Sequence, residues 1–300
     1  MPIDIASYRR WEGRARATPL AAYAIAATMV RRRMRIRLVR WIVSVFSLMA
    51  TGSAAATFLF TLEGEGDPMI QHQIRLFGID NIDLLAVLNH RLEGTLGWFG
   101  ILLAALVGAP LIAEDRRAKA LPLYFSRPLG HVEYVLGKAA SAAFFLALLL
   151  VVPRASMYLV EVAFSDAEGI ALRQLPTLLR TLATGGLGIA VLASVALGVS
   201  SLTERPTYAA LTFLGISVVA FGTAHHLADA LRDPNLLVLE PYACVRRIAL
   251  DLLPVPAPLR PGTEDLAAMD VGRAWTGFGI WTGLGLLVLV LRVRRVEVVT

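Results

Sequence analysis

The sequence holds a single cysteine, Cys244, in 300 residues. That excludes a disulfide framework, an iron–sulfur centre and a cysteine-rich zinc site. Charge is scarce as well: 17% of the residues are Asp, Glu, Lys or Arg, where a soluble domain carries about 25%. Disorder is excluded, because it requires low hydrophobicity and high charge. The phosphate-binding pattern G-x-x-x-x-G-K-[ST] is absent. The Gly137-Lys138 pair has Val132 where the first glycine would stand, and Ala139 follows the lysine. There is no H-E-x-x-H, and Gly198-Val199-Ser200 lacks the second glycine of a nucleophile elbow. His225 and His226 are neighbours, and neighbours on a helix point about 100° apart, so both cannot easily bind one metal. The expectation is a chain that is not an enzyme, with no catalytic residues, no metal site and no cofactor of its own. A secretory signal is also missing, since the first 19 residues are polar and carry Arg9, Arg10, Arg14 and Arg16.

What is abundant is apolar sequence, 56% of the chain, with a mean hydropathy of +0.63. About 20 apolar residues cross a bilayer as a helix. Six stretches fit, which predicts an all-α, polytopic membrane protein with spans at 42–62, 96–113, 139–160, 181–202, 207–227 and 274–291. Together they make a transmembrane domain over 42–291, between an amino-terminal arm at 1–41 and a tail at 292–300. The loop at 114–138 lies on the arm's side, and the large loops 63–95 and 228–273 lie opposite. Lys and Arg divide 19 to 9 between the two sides, and acidic residues 7 to 16. The positive-inside rule therefore puts both termini in the cytoplasm. The basic excess, with a pI near 9.9, then faces anionic lipid rather than nucleic acid.

The arm supports this. Tyr23, Ala27, Val30, Met34, Leu38 and Trp41 fall on one helical stripe, with Arg31, Arg32, Arg33, Arg35, Arg37 and Arg40 outside it. A basic amphipathic helix of this kind lies in the headgroup plane, with Trp41 and those arginines at the membrane interface. No aromatics interleave with the arginines to stack on bases. In the outer loops, Asp67-Pro68 and Asp80 read as helix starts. Leu236–Leu253 is too charged to span, and either lies on the outer surface or dips in as a re-entrant piece. Arg154, inside the third span, is expected to snorkel outward or to pair with Glu161. Gly279 with Gly283, Ser194 with Gly198, and Gly97 with Gly100 are candidate close-packing pairs.

The most distinctive segment is the loop 114–138. Glu114, Asp115, Arg116 and Arg117 end the second span, and Pro122 then interrupts the helix. An apolar patch of Leu121, Leu123, Tyr124 and Phe125 follows, outside the bilayer, as a docking surface would. Ser126, Arg127 and Pro128 make the next turn, and Gly137-Lys138 leads into the third span. This segment resembles the permease subunits of ABC transporters of the type-2 exporter family. In that family an acidic residue closes the second span, a short coupling helix and a Ser/Thr-Arg/x-Pro turn follow, and Gly-Lys opens the third. Lys119-Ala120 stands where the family often has Gly-Thr. Tyr8-Arg9-Arg10-Trp11-Glu12-Gly13 is also similar to the start of some bacterial members.

The resemblance implies a permease subunit of an ATP-driven exporter in the bacterial inner (plasma) membrane. It implies a separate ABC ATPase, holding ATP and Mg, docked on 114–138, and a second permease copy, identical or related. The coupling residues would be Glu114, Asp115, Arg116, Arg117, Leu121, Leu123, Tyr124, Phe125, Ser126, Arg127, Pro128, Gly137 and Lys138. Two alternatives stand beside it: a secondary transporter without an ATPase, and a membrane scaffold that transports nothing. No spanning stretch has a central acidic residue to couple protons or sodium, which weighs against the first of these.

Overall fold

The computed structural model describes residues 19–64, 84–121, 124, 130–165, 169–253 and 263–294. Among these residues there is no strand. The helices are α1 (Pro19–Met34), α2 (Arg37–Gly64), α3 (Leu84–Leu103), α4 (Pro110–Arg117), α5 (His131–Leu150), α6 (Val152–Phe164), α7 (Ile170–Leu202), α8 (Pro206–Leu231), α9 (Pro241–Leu252), α10 (Glu264–Ala268) and α11 (Val271–Arg294). A π stretch, Ala104–Gly108, joins α3 to α4, and a 3₁₀ turn, Pro234–Leu239, precedes α9.

Proline writes many of the starts. Pro19, Pro110, Pro206 and Pro241 each open a helix, Pro234 opens the 3₁₀ turn, and Pro153 is the second residue of α6. Proline has no N–H to lose in a first turn, and its fixed φ suits a helix. Pro110 also explains the π stretch. Its ring would clash with the carbonyl four residues back in a regular helix. The chain takes up one extra residue instead, and Ala109 N donates to Ala104 O at 2.8 Å.

Among the described residues, five helices are long and apolar enough to cross a membrane: Leu92–Arg117, α5, α7, α8 and α11. The expected spans at 96–113, 181–202, 207–227 and 274–291 fall inside four of them. The expected first span, 42–62, lies within the 28 residues of α2, which is not one of those five. The third differs from 139–160. Its helix runs from His131 to Leu150, then breaks at Val151 (φ −116°, ψ −48°). Pro153 forces that break, because it cannot donate to the carbonyl of Leu149.

The long α7 is the axis of the bundle, with every residue from Val191 to Ser201 buried. The helix α11 packs along it, α1 packs along α5, and α2 along α6. The α7–α11 contact is backbone on backbone. A Cβ added to Gly285 would sit 2.6 Å from the Ser194 carbonyl, and one on Gly198 would sit 2.8 Å from Gly285 O. The Ser194/Gly198 expectation therefore locates the crossing, but its partner is Gly285. Gly279 and Gly283 have nothing within 4 Å of where a side chain would begin. The segment Leu236–Leu253 folds into the bundle, α9 packing on α7 and α11 with Tyr242, Cys244, Val245 and Ile248 buried.

The stripe expected on the arm runs over two helices rather than one. Helix α1 ends at Met34 and α2 begins at Arg37, so no single wheel runs through both. Tyr23, Leu38 and Trp41 are exposed, whereas Met29, Arg33 and Val39 are buried.

Candidate functional site

At the end of α4 the chain turns around a buried carboxylate. Asp115 is 4% exposed. Lys138 Nζ lies 2.7 Å from its Oδ2, and the Tyr134 hydroxyl donates to the same oxygen at 2.8 Å. Lys138 also donates to Leu111 O at 3.0 Å and approaches Met29 Sδ at 3.5 Å. A lysine with no exposed surface survives only with a counter-charge and hydrogen bonds of this sort. Helix α5 presents both residues because Tyr134 and Lys138 are four apart, hence on one face.

Gly137, between them on the neighbouring face, receives α1. A Cβ there would lie 2.7 Å from Ile25 Cβ and 3.0 Å from Ala22 O. Its absence lets the arm close over the cluster, where Arg33 Nη2 meets Glu114 Oε1 at 2.9 Å and Arg32 Nη2 lies 3.8 Å from Glu114 Oε2. Burial lowers the Arg33 pKa, and the charge of Glu114 opposes that shift.

From α7 comes a cap. Ile112 N and Ala113 N donate to Ser200 Oγ at 2.9 and 3.1 Å. These amides lie just beyond the π stretch, in the first turns of α4. Arg116 donates to Ser201 O and pairs with Glu204 at 3.3 Å. Lys119 then turns the chain in the left-handed region, at φ 49°. Glycine is the residue for which this backbone costs least.

The structure thus brings together Glu114, Asp115, Arg116, Gly137 and Lys138. Arg33, expected at the headgroups, joins them in the interior, while Arg31, Arg32, Arg35, Arg37, Arg40 and Trp41 are exposed. Arg117 and Lys119 are exposed too. Leu121 is buried against this chain rather than offered to a partner. Tyr124 is half-buried, its ring 5.5 Å from that of Tyr134, and burial raises its pKa. Leu123, Phe125, Ser126, Arg127 and Pro128 lie outside the described residues, as do Asp67-Pro68, Asp80 and Tyr8 to Gly13.

A second polar cluster sits at the other end of the bundle. Arg154 is 1% exposed and hydrogen-bonds Glu93 through Nη2. Its Nη1 donates to Thr184 Oγ1 at 3.1 Å and to Thr181 O at 3.3 Å. Glu93 also accepts from the Tyr242 hydroxyl at 2.8 Å. Arg154 therefore neither snorkels nor pairs with Glu161, whose Oε1 accepts instead from Gln174 at 3.1 Å. The break at Val151 re-aims the chain so that Arg154 enters the bundle, beside the space left by Gly185. The Tyr242 ring fills the gap over Gly97, where a Cβ would be 2.1 Å away.

Sequence reasoning missed Glu93, Tyr242, Ser200 and the bond from Tyr134. The available signal for Glu93 was an isolated carboxylate at the start of a span, with one unpaired arginine in another.

Residues 23–295 match the model of the family described as ABC-2 family transporter protein. No curated protein matches the sequence.

Proposed function

The chain belongs to the ABC-2 family of transporter proteins, a family of membrane permeases, and from that premise we propose that it is the permease subunit of an ATP-driven exporter. Helix α2 is the first of six spans, both termini face the cytoplasm, and the membrane is the bacterial plasma membrane. A separate ABC ATPase docks on the loop 114–138. That subunit holds ATP and Mg, since this chain carries no phosphate-binding pattern. A second permease copy completes the transport pathway. Exposed Arg31, Arg32, Arg35, Arg37, Arg40 and Trp41 meet the inner headgroups.

The observation that carries this reading is the buried Asp115–Lys138–Tyr134 cluster. A loop that receives force from another subunit must be held stiffly to the spans it moves. Here the loop's first residues are fixed to α5 by an ion pair and a hydrogen bond, to α7 by the bond from Arg116 to Ser201 O, and to α1 by Arg33. Exposed Arg117 and Lys119 stand just beyond that brace. Ion pairs in such low-dielectric surroundings resist displacement more than surface pairs do.

The test is co-purification of the full chain with its ATPase and a measurement of ATP turnover in lipid. Leu123→Glu or Phe125→Glu in the loop is expected to lower turnover severalfold while both subunits stay folded. Flux driven by an ion gradient with no ATPase bound would overturn the proposal in favour of a secondary transporter.

A further inference from the structure

Between α3, α7 and α8 runs a narrow crevice walled by Ile101, Val191, Leu192, Val195, Phe213 and Ile216. Its polar lining residues are Ser217, Glu240 and Tyr242. Glu240 is 5% exposed. It stands at the N-cap of α9, yet its side chain makes no capping bond. Its Oε2 has no hydrogen-bond partner. The nearest cationic candidate is His225, whose Nδ1 is 3.7 Å away, beyond hydrogen-bond distance. That Nδ1 is already 3.0 Å from Phe221 O. Neighbouring Tyr242 is occupied with Glu93.

A carboxylate in apolar surroundings is costly unless something cationic meets it. The Asp115 and Glu93 carboxylates have their partners within the chain; the Glu240 carboxylate has an acceptor to spare. The carboxylate therefore stands beside an almost wholly apolar crevice that is closed in this structure. Burial raises the Glu240 pKa, with His225 and Arg246 opposing.

We propose that Glu240 is the anionic anchor of a binding site for an amphipathic monocation of the alkylammonium kind, its chain lying along the crevice and its head at the carboxylate. The free volume is about 10 Å³, the space of a single water, so entry requires α8 to move outward. Few residues of α8 are buried, so it has little packing to lose. Naming this ligand as cargo rests on the exporter reading; the binding itself does not.

The experiment uses the full chain in lipid nanodiscs, without ATPase or ATP, and empty nanodiscs as the partition control. Three probes share a chain and differ in charge: octylammonium, octanoate and octanol. The wild-type protein is expected to bind octylammonium in preference to both others, and Glu240→Gln to weaken that binding about tenfold or more. Glu240→Asp, which keeps the charge, should retain the preference for the cation over the anion. Octanoate binding to wild type as tightly as octylammonium would overturn the proposal, and that comparison needs no variant. Unchanged octylammonium affinity in folded Glu240→Gln would overturn it as well. Charge-selective binding in a chain that engages no ATPase would sink the exporter reading alone. ATPase coupling with no charge selectivity would sink this site alone.

Discussion

Lys138 and Asp115 are each worth little apart and much together. Removing the lysine as Lys138→Met leaves a carboxylate buried and unpaired, which destabilises by about 3–5 kcal/mol. Adding Asp115→Asn to it should recover a large share, because the uncompensated charge is gone. Denaturation of the purified chain in detergent reads both. Tyr134→Phe removes one bond to a charged acceptor and should cost about 1.5–3 kcal/mol by the same measurement. Lys119 gives a sharper backbone test. With φ at 49°, Lys119→Gly should be close to neutral, while the β-branched Lys119→Val should cost about 1–2 kcal/mol. At this scale the sequence was partly legible. Glu114, Gly137 and Lys138 stood out as a pattern, but a pattern does not say that glycine makes room for α1 or that lysine answers Asp115. Those facts depend on which helices meet, and no local spacing encodes that.

Helix positions were far more legible than helix contacts. Long apolar runs bounded by charge and proline fix where a span lies, because backbone groups in lipid must bond within the helix. Which face turns inward is harder, since a lipid-facing side is as apolar as a packed one. Helix α11 is the instructive case. The Gly279/Gly283 spacing suggested a packing face, yet the close approaches belong to Gly277, against Val238 and Cys244, and to Gly285, against Ser194. Gly285→Ala should therefore force α11 from α7 and lower stability by about 1–3 kcal/mol. Gly279→Ala, on the same helix, should be neutral or slightly stabilising, because only helix propensity changes. Thermal unfolding of the two variants side by side decides it. Helix α6 shows the other limit: one φ/ψ break at Val151 was enough to send Arg154 to Glu93 rather than outward.

For the molecule as a whole, the lone cysteine is a reporter of integrity. Cys244 is buried under α11, and burial raises its thiol to about 12. A thiol with its pKa raised that far is almost wholly protonated at pH 7, so the thiolate that attacks maleimide is scarce. Labelling of the native chain is expected to be very slow at pH 7 and complete after denaturation. Arg154→Met, which strands Glu93, should speed it by loosening Tyr242 and α9. Prompt labelling of the native wild type would contradict the packing of α9 described above.

Glu93 and Asp115 belong to one nearly continuous rod. The 22 helical steps from one to the other span about 33 Å at 1.5 Å each, close to the thickness of a bilayer's hydrocarbon. Each acid is riveted to a cation on the next two helices, Lys138 of α5 near one end and Arg154 of α6 near the other. A strut fastened at two such distant points cannot slide along its neighbour. Two irregular places lie between the fastenings, the π turn within the rod and the break at Val151 in the helices beside it, so any bending of this pair of neighbours falls there rather than at the rivets.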